Sequence, residues 1–116
     1  HWGYCEDYAE LLKKAFKAKM KNKYHRRGWG ASYYFVVSKD GDIADMKHFI
    51  YQNDYFDSIV KDVILSVKPI PFYDGMNEES IMFSVYLGYQ KHDNIEISVG
   101  ANAYRDIYLI DVDLKK

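Results

Sequence analysis

The residues whose side chains can carry out acid–base or nucleophilic chemistry are scattered along this 116-residue sequence. None of the histidines belongs to an HxxxH or HExxH pattern, which would bring two side chains to one face of a helix. The glycine-rich loop that cradles phosphate and the Gly-x-Ser-x-Gly turn that presents a catalytic serine are also missing from the sequence. The sequence therefore predicts a protein that is not an enzyme. The four histidines are His1, His25, His48 and His92.

The single cysteine, Cys5, lies near the start of a predicted helix, where a thiolate is favoured. A nucleophilic cysteine needs a partner base, and the sequence identifies none, so we expect a small core or surface residue. One cysteine also excludes an internal disulfide and a cysteine-rich zinc site.

Three aspartates, Asp40, Asp42 and Asp45, superficially resemble a calcium-binding cluster. Their spacing lacks the twelve-residue loop and the terminal glutamate of a calcium-binding hand. We interpret them as acidic residues of a hairpin turn, and we expect no metal ion and no cofactor.

A basic run without acidic residues follows in the second half of the first predicted helix and beyond it. The simplest interpretation is a solvent-exposed helix face whose lysines complement the helix dipole. The alternatives are attraction to anionic lipid headgroups or cell-wall polymers, and binding of nucleic acid. The net charge of −1 and the lack of a recognisable motif argue against nucleic acid. The candidate anionic-surface patch consists of Lys13, Lys17, Lys21, Arg26 and Arg27.

Hydrophobic periodicity predicts two helices, over residues 4–22 and 55–68. In the second, Phe56, Ile59, Val60, Val63, Ile64 and Val67 recur at helical spacing. Asn53 or Asp54 is a suitable N-cap, and Pro69 ends the helix because the residue before proline is pushed out of the α region.

Alternation of apolar and polar residues predicts the strands. Residues 32–50 form a hairpin around Asp40-Gly41, because Gly41 supplies the positive φ that a tight turn requires. Further strands are expected over residues 80–89, 95–99 and 108–114. The predicted fold is α+β in the order α-β-β-α-β-(β-β). It has an antiparallel sheet, an added C-terminal strand pair, and both helices packed on one face.

Length and composition predict one globular domain over residues 1–116, with a core at 28–89, an N-terminal helix at 4–22 and a C-terminal extension at 90–116. No apolar run approaches the ~18 to 20 residues that span a membrane. The sequence opens at His1 without methionine. We therefore expect a fragment or a mature form, whose membrane anchor, if it has one, lies upstream.

The order of these elements resembles the C-terminal periplasmic domain of TonB and TolA-type proteins. The resemblance covers about three-quarters of the chain. It rests on a leading helix with Tyr8, Leu12 and Phe16, the strand with Phe35 and Val37, the turn Asp40-Gly41 with Ile43, the helix entry Asn53…Phe56-Asp57, then Pro69, Pro71 and Phe72, and the strand IMFSVYLGY. The region KYHRRGW departs from the family, which often has a tryptophan and then prolines there.

The resemblance implies a domain that works in the bacterial periplasm. Such domains are tethered to the inner membrane and its motor complex through an N-terminal anchor, which this sequence lacks. They bind an outer-membrane receptor or periplasmic partner by strand addition to the third strand, whose unpaired backbone groups supply affinity. Here the implied partner-binding edge is Ser80, Met82, Ser84, Tyr86 and Gly88.

Two features keep other interpretations open. The 27 residues after Tyr89 exceed the family pattern, and a strand formed by residues 95–99 would cover the implied edge. The available edge would then be residues 108–114 or 43–50, unless the tail is displaced on binding. The alternative class is a cystatin-like or NTF2-like interaction or immunity module, with a pocket between helix and sheet.

Overall fold

The computed structural model describes residues 1–49, 53–91, 94–101 and 109–114. Along the chain they form α1 (Trp2–Met20), β1 (Gly30–Ser38), β2 (Ile43–His48), α2 (Asp54–Ser66), β3 (Ser80–Lys91), β4 (Asn94–Ala101) and β5 (Ile110–Asp111). The α+β prediction is confirmed, with two helices on an antiparallel five-stranded sheet. The sheet order is β4-β3-β1-β2-β5, so the two C-terminal strands lie at opposite edges and do not pair with each other.

Helix α1 forms because its apolar residues recur every four positions and make one buried stripe. After Met20, Asn22 takes a left-handed backbone conformation with φ 64°, and the Lys23 N–H bonds to the Met20 carbonyl at 2.9 Å. Asparagine tolerates this conformation better than most residues, so it is a suitable terminator. The buried stripe is Tyr4, Cys5, Tyr8, Leu12, Phe16 and Met20.

The hairpin of β1 and β2 turns at Gly41, which has φ +88° as predicted. A β-bulge interrupts the pairing, because Val36 opposes Ala44 while Tyr34 opposes Lys47. Asp45 lies in the bulge with φ 51°. The extra residue changes which side chains of β2 face the helices. As a result His48 is buried beside Tyr33, while Phe49 is 43% exposed.

Helix α2 begins where Asn53 caps it, with the Asn53 side chain accepting a hydrogen bond from the Phe56 N–H at 3.0 Å. Asp54 and Asp57 lie in the first turn, where negative charge suits the helix dipole. Five of the six residues that the periodicity predicts are buried, together with Asp57, while the sixth, Val67, is the half-buried C-cap. In the described part of the chain, no helix has the length and apolar character needed to cross a membrane.

Aromatic rings fill the space between the helices and the sheet. Phe35 and Phe83 are fully buried, and both pack against Tyr8, while Tyr4 stacks on Phe83 with 5.5 Å between ring centroids. Phe16 contacts Tyr89 in the same layer. This layer fixes α1 along β3 and β4.

Two tyrosines on α1 should respond in opposite ways to loss of the hydroxyl. Tyr4 donates to the Ile70 carbonyl at 2.6 Å, whereas the Tyr8 hydroxyl is buried without a hydrogen-bond partner among the residues that the structure describes. An unsatisfied buried hydroxyl is costly, while a satisfied one contributes to stability. We expect Tyr8→Phe to raise the free energy of unfolding by about 1 kcal/mol and Tyr4→Phe to lower it by about 1 kcal/mol. Urea titration of both variants tests this, and a loss of stability in Tyr8→Phe would contradict it.

Candidate functional site

The third strand, which the resemblance implies is an open edge, is an interior strand. β3 pairs with β1 from Gly30↔Gly88 to Ser38↔Ser80, and with β4 from Phe83↔Ala101 to Lys91↔Asn94. The prediction that Ser80, Met82, Ser84, Tyr86 and Gly88 form an edge strand is therefore wrong. The physical reason is that the chain folds back after Lys91, and β4 takes up the backbone groups on that side.

Side chains of β3 still alternate as the sequence indicates. Met82, Ser84 and Tyr86 are half-buried on the face of the sheet opposite the helices, and Ser80 is exposed. The Tyr86 ring lies against Gly30 and Gly88, where a Cβ on either glycine would overlap its hydroxyl. This face of β3 is a side-chain surface, and it offers no backbone groups for strand addition.

Within the described residues, β4 is the outer strand on this side of the sheet. In an antiparallel sheet the backbone groups of successive residues point alternately to the two neighbouring strands. The Tyr89 N–H donates to the Trp29 carbonyl at 2.8 Å, so the odd-numbered residues of β3 point toward β1. The even-numbered residues therefore point toward β4, where Ser84, Tyr86 and Gly88 oppose Gly100, Ser98 and Glu96.

It follows that Ile95, Ile97 and Val99 direct their N–H and C=O groups away from the sheet. Their side chains are half-buried and pack against the core beneath α1, whereas Glu96 and Ser98 are exposed on the opposite face. This outward row of backbone groups, carried by residues 95, 97 and 99, is called the β4 edge below. It has the alternation that strand addition requires.

One end of the β4 edge is covered by α1. The Cys5 thiol lies beside the Ala101 N–H. Burial raises the pKa of this thiol, while the N-terminal ammonium group and the Ala101 N–H lower it. The cysteine is thus a packed residue, and it occupies the outward N–H of Ala101.

The other margin of the sheet is less available. β5 pairs with β2 at Lys47↔Asp111 and His48↔Ile110, and the Val112 N–H bonds to the Met46 carbonyl at 2.9 Å. The Lys47 ammonium lies 2.6 Å from Asp111, whose side chain is 84% exposed, so this ion pair contributes little stability. β5 is only two residues long, and the β4 edge is therefore the better site for an added strand.

The described residues include a sheet edge with outward-pointing backbone groups, but comparison with known proteins does not identify what binds there. No protein-family model, curated protein or solved structure matches this chain. The resemblance to TonB and TolA-type domains therefore stays an interpretation of the residues.

The candidate anionic-surface patch divides into two parts. Lys13 and Lys17 lie one turn apart on α1, with Lys13 half-buried and Lys17 exposed. Lys21, Arg26 and Arg27 are exposed after the helix. Arg26 is held locally, because its Nε donates to the Tyr24 hydroxyl at 2.5 Å and its guanidinium lies 5.8 Å from the Tyr24 ring centroid. The five residues therefore do not form one row on a single element.

A polar pocket that the sequence did not indicate lies between α2 and the β2–β5 margin. Its volume is about 340 Å³. His48, 4% exposed, contributes to its wall, and Asp57, also 4% exposed, lies nearby on α2. The burial of His48 cannot be predicted from the sequence, because the β-bulge is not visible in the alternation of apolar and polar residues. The lining residues are Tyr33, His48, Asp54, Ser58, Lys61, Asp111, Val112 and Asp113.

Burial raises the pKa of Asp57 to about 6, an effect that His48 opposes and Asp54 reinforces. The Tyr33 hydroxyl donates to the Asp57 backbone carbonyl at 2.9 Å, and the two groups thereby join β1 to α2. No group of three or more metal-ligating side chains occurs among the described residues. The geometry therefore indicates a buried carboxyl group whose ionisation affects stability.

The remaining histidines lie apart from one another. His25 stacks on Tyr89 with 3.9 Å between ring centroids, and His1 contacts Glu78. His92 lies outside the described residues. That the protein has no enzymatic activity stays a prediction.

Proposed function

We propose that this chain is a periplasmic protein-interaction domain of the TonB/TolA type, which binds its partner by strand addition at the β4 edge. The observation that carries the proposal is the outward row of backbone groups on residues Ile95, Ile97 and Val99. An extended segment that binds beside this row would form N–H···O=C bonds with it. The side chains of the segment would alternate between the two faces of the sheet and contact the residues there.

The cellular setting is part of the same proposal. The partner is an outer-membrane receptor segment or a periplasmic protein, and the domain is tethered to the inner membrane and its motor complex through a segment upstream of His1. The support is the order helix, hairpin, helix, strand, together with the apolar pattern around Asp40-Gly41 and Pro69-x-Pro71-Phe72. Several backbone bonds in parallel suit a link that carries load, because they share the applied force.

The alternative, a cystatin-like or NTF2-like module with a pocket between helix and sheet, requires a deep apolar cavity lined by Tyr and Trp. In the described residues that space is filled by Tyr4, Tyr8, Phe35 and Phe83, each 1% exposed or less. The pocket beside His48 is lined mainly by polar and charged residues, has no Trp among the described residues that line it, and lies at the margin of the sheet. A filled core with a free edge favours strand addition.

The direct test is an NMR titration of the isotopically labelled domain with peptides from outer-membrane receptor plug segments. We expect the largest amide shifts at Ile95, Ile97 and Val99, whose N–H groups would gain acceptors. Shifts confined to the surfaces of α1 and α2 would contradict strand addition.

The substitution Ile97→Pro should prevent strand addition at the β4 edge without removing a hydrogen bond between β4 and β3. Ile97 points its N–H outward, so Ile97→Pro removes an edge donor and projects a ring toward the added strand. We expect the affinity for a bound peptide to fall at least about tenfold, while circular dichroism still reports a folded domain. Ile97→Ala is the matched control, because it loses the same side chain but keeps the N–H. Equal affinities for the two variants would count against the proposed edge.

A further inference from the structure

The side of α1 that borders the β4 edge can be assigned from contacts at both ends of the helix. Cys5 lies beside Ala101, and Phe16 contacts Tyr89, which pairs with Ile95. Helix α1 therefore runs alongside β4 in the opposite direction. Asp7 lies on the other flank of α1, where its carboxylate accepts a hydrogen bond from the Tyr73 hydroxyl at 2.5 Å.

Helical geometry places two lysines along the flank that begins at Cys5. Lys13 and Lys17 follow Cys5 at intervals of four residues, through Ala9, in a row that borders the buried stripe of α1 along its length. Lys13 lies about 12 Å and Lys17 about 18 Å along the axis from Cys5. Ile97 and Ile95 lie about 13 Å and about 20 Å along β4 from Ala101. Each lysine is therefore level with one outward-pointing residue of the β4 edge.

The spacing of the lysines matches the repeat of an extended chain. One helical turn separates Lys13 from Lys17 by about 6 Å along the axis, and alternate residues of a strand are about 6.6 Å apart. Both lysines line an open groove of about 350 Å³ on α1, together with Glu10, Leu11 and Lys14. An added strand would present every second side chain to this helix.

We infer that the bound segment is acidic at alternate positions on its helix-facing side, with one carboxylate for Lys13 and one for Lys17. This inference rests on strand addition as the proposed function. Glu96 is exposed on the other face of the sheet, so the residue between the two acids should be neutral or basic. Glu10 lines the same groove as Lys13 and Lys17 and offsets part of their charge, and Glu6 lies one turn earlier, so the acidic preference is confined to the part of the edge beside Ile95 and Ile97. The partner is thus an extended peptide segment of the pattern acid-x-acid.

The test uses three ten-residue peptides in which threonine alternates with glutamate, glutamine or lysine. Calorimetry gives the affinities, and NMR amide shifts report whether each peptide lies at the β4 edge. We expect the glutamate peptide to bind about tenfold more tightly than the glutamine peptide at low salt, with the difference shrinking as salt screens the charges. The double variant Lys13→Glu/Lys17→Glu should reverse the order and favour the lysine peptide.

The matched control is Lys23→Glu/Lys68→Glu, which makes the same change in net charge at exposed positions away from Lys13 and Lys17. This variant should keep the preference for the glutamate peptide. If all three peptides shift the amides of residues 95, 97 and 99 with equal affinity, the charge assignment is overturned while strand addition stands. If none of them shifts these amides, both proposals fail. If the amides shift with protein concentration alone, a second copy of the chain takes the edge and the inferred acidic partner is wrong.

Discussion

The free energy of unfolding of this protein should carry a contribution from Asp57 that falls as pH rises from about 4 to about 6. The folded-state pKa of Asp57 is about 6, above the ordinary value of 3.8, because burial opposes the charged form more than His48 supports it. Between these values the folded state keeps a proton that the unfolded state has released. Stability from this group is therefore complete below about pH 4 and is lost as pH passes the folded pKa.

The size of this effect can be measured with Asp57→Asn. A shift of about two units corresponds to about 3 kcal/mol, so the variant should exceed the wild type by up to about 3 kcal/mol above pH 6 and match it near pH 4. Urea titrations at intervals from pH 4 to pH 8 give the difference between the two proteins. Asp62→Asn, an exposed change on the same helix, is the control and should leave the slope unaltered. A difference that does not vary with pH would show that Asp57 is not the source.

Replacement of Gly41 by alanine should destabilise the domain by about 3 kcal/mol, for two separable reasons. Gly41 has φ +88°, which costs an alanine about 1 kcal/mol. A Cβ there would also overlap the Pro69 carbonyl oxygen and lie 3.3 Å from the Pro69 carbonyl carbon. That contact is with backbone, so it cannot be relieved by a side-chain rotation.

Gly75 provides a matched control within the same chain. Its φ is +92°, but a Cβ there would meet nothing within 4 Å. Gly75→Ala should therefore lose only about 1 kcal/mol, the cost of the backbone conformation. Thermal or urea unfolding of both variants gives the comparison. Equal losses would mean that the hairpin turn does not press against the segment that follows α2.

The comparison of these two glycines shows what the sequence can predict locally. The Asp40-Gly41 pair indicates a turn with positive φ, and the structure has that turn. The contact with Pro69 is between residues 28 positions apart, and no local pattern reports it. Likewise, the apolar spacing of α2 predicts its buried face, but the burial of Asp57 depends on where β2 lies.

The sequence predicts the strands of the candidate binding site but not which of them lies at the edge of the sheet. Strands β3 and β4 were both expected from their alternation, with ends within a few residues of those observed. Which strand lies at the edge is decided by pairing between strands, and alternation is the same for an edge and for an interior strand with one polar face. The position of His48 cannot be predicted for a related reason, since one extra residue at Asp45 reverses the alternation after it.

The placement of the two C-terminal strands on opposite edges has a consequence for how the chain is made. A nascent chain that has emerged only as far as residue 91 holds β2, β1 and β3, yet neither outer strand of that unit has a neighbour. The outer backbone groups of β2 and β3 gain their partners only when residues 94–111 have been added, and the Lys47–Asp111 pair spans 64 positions. Until then the unfinished domain has two sheet edges available to other chains. A chain without residues 94–111 would thus be prone to aggregation, because β4 and β5 would no longer cover β3 and β2.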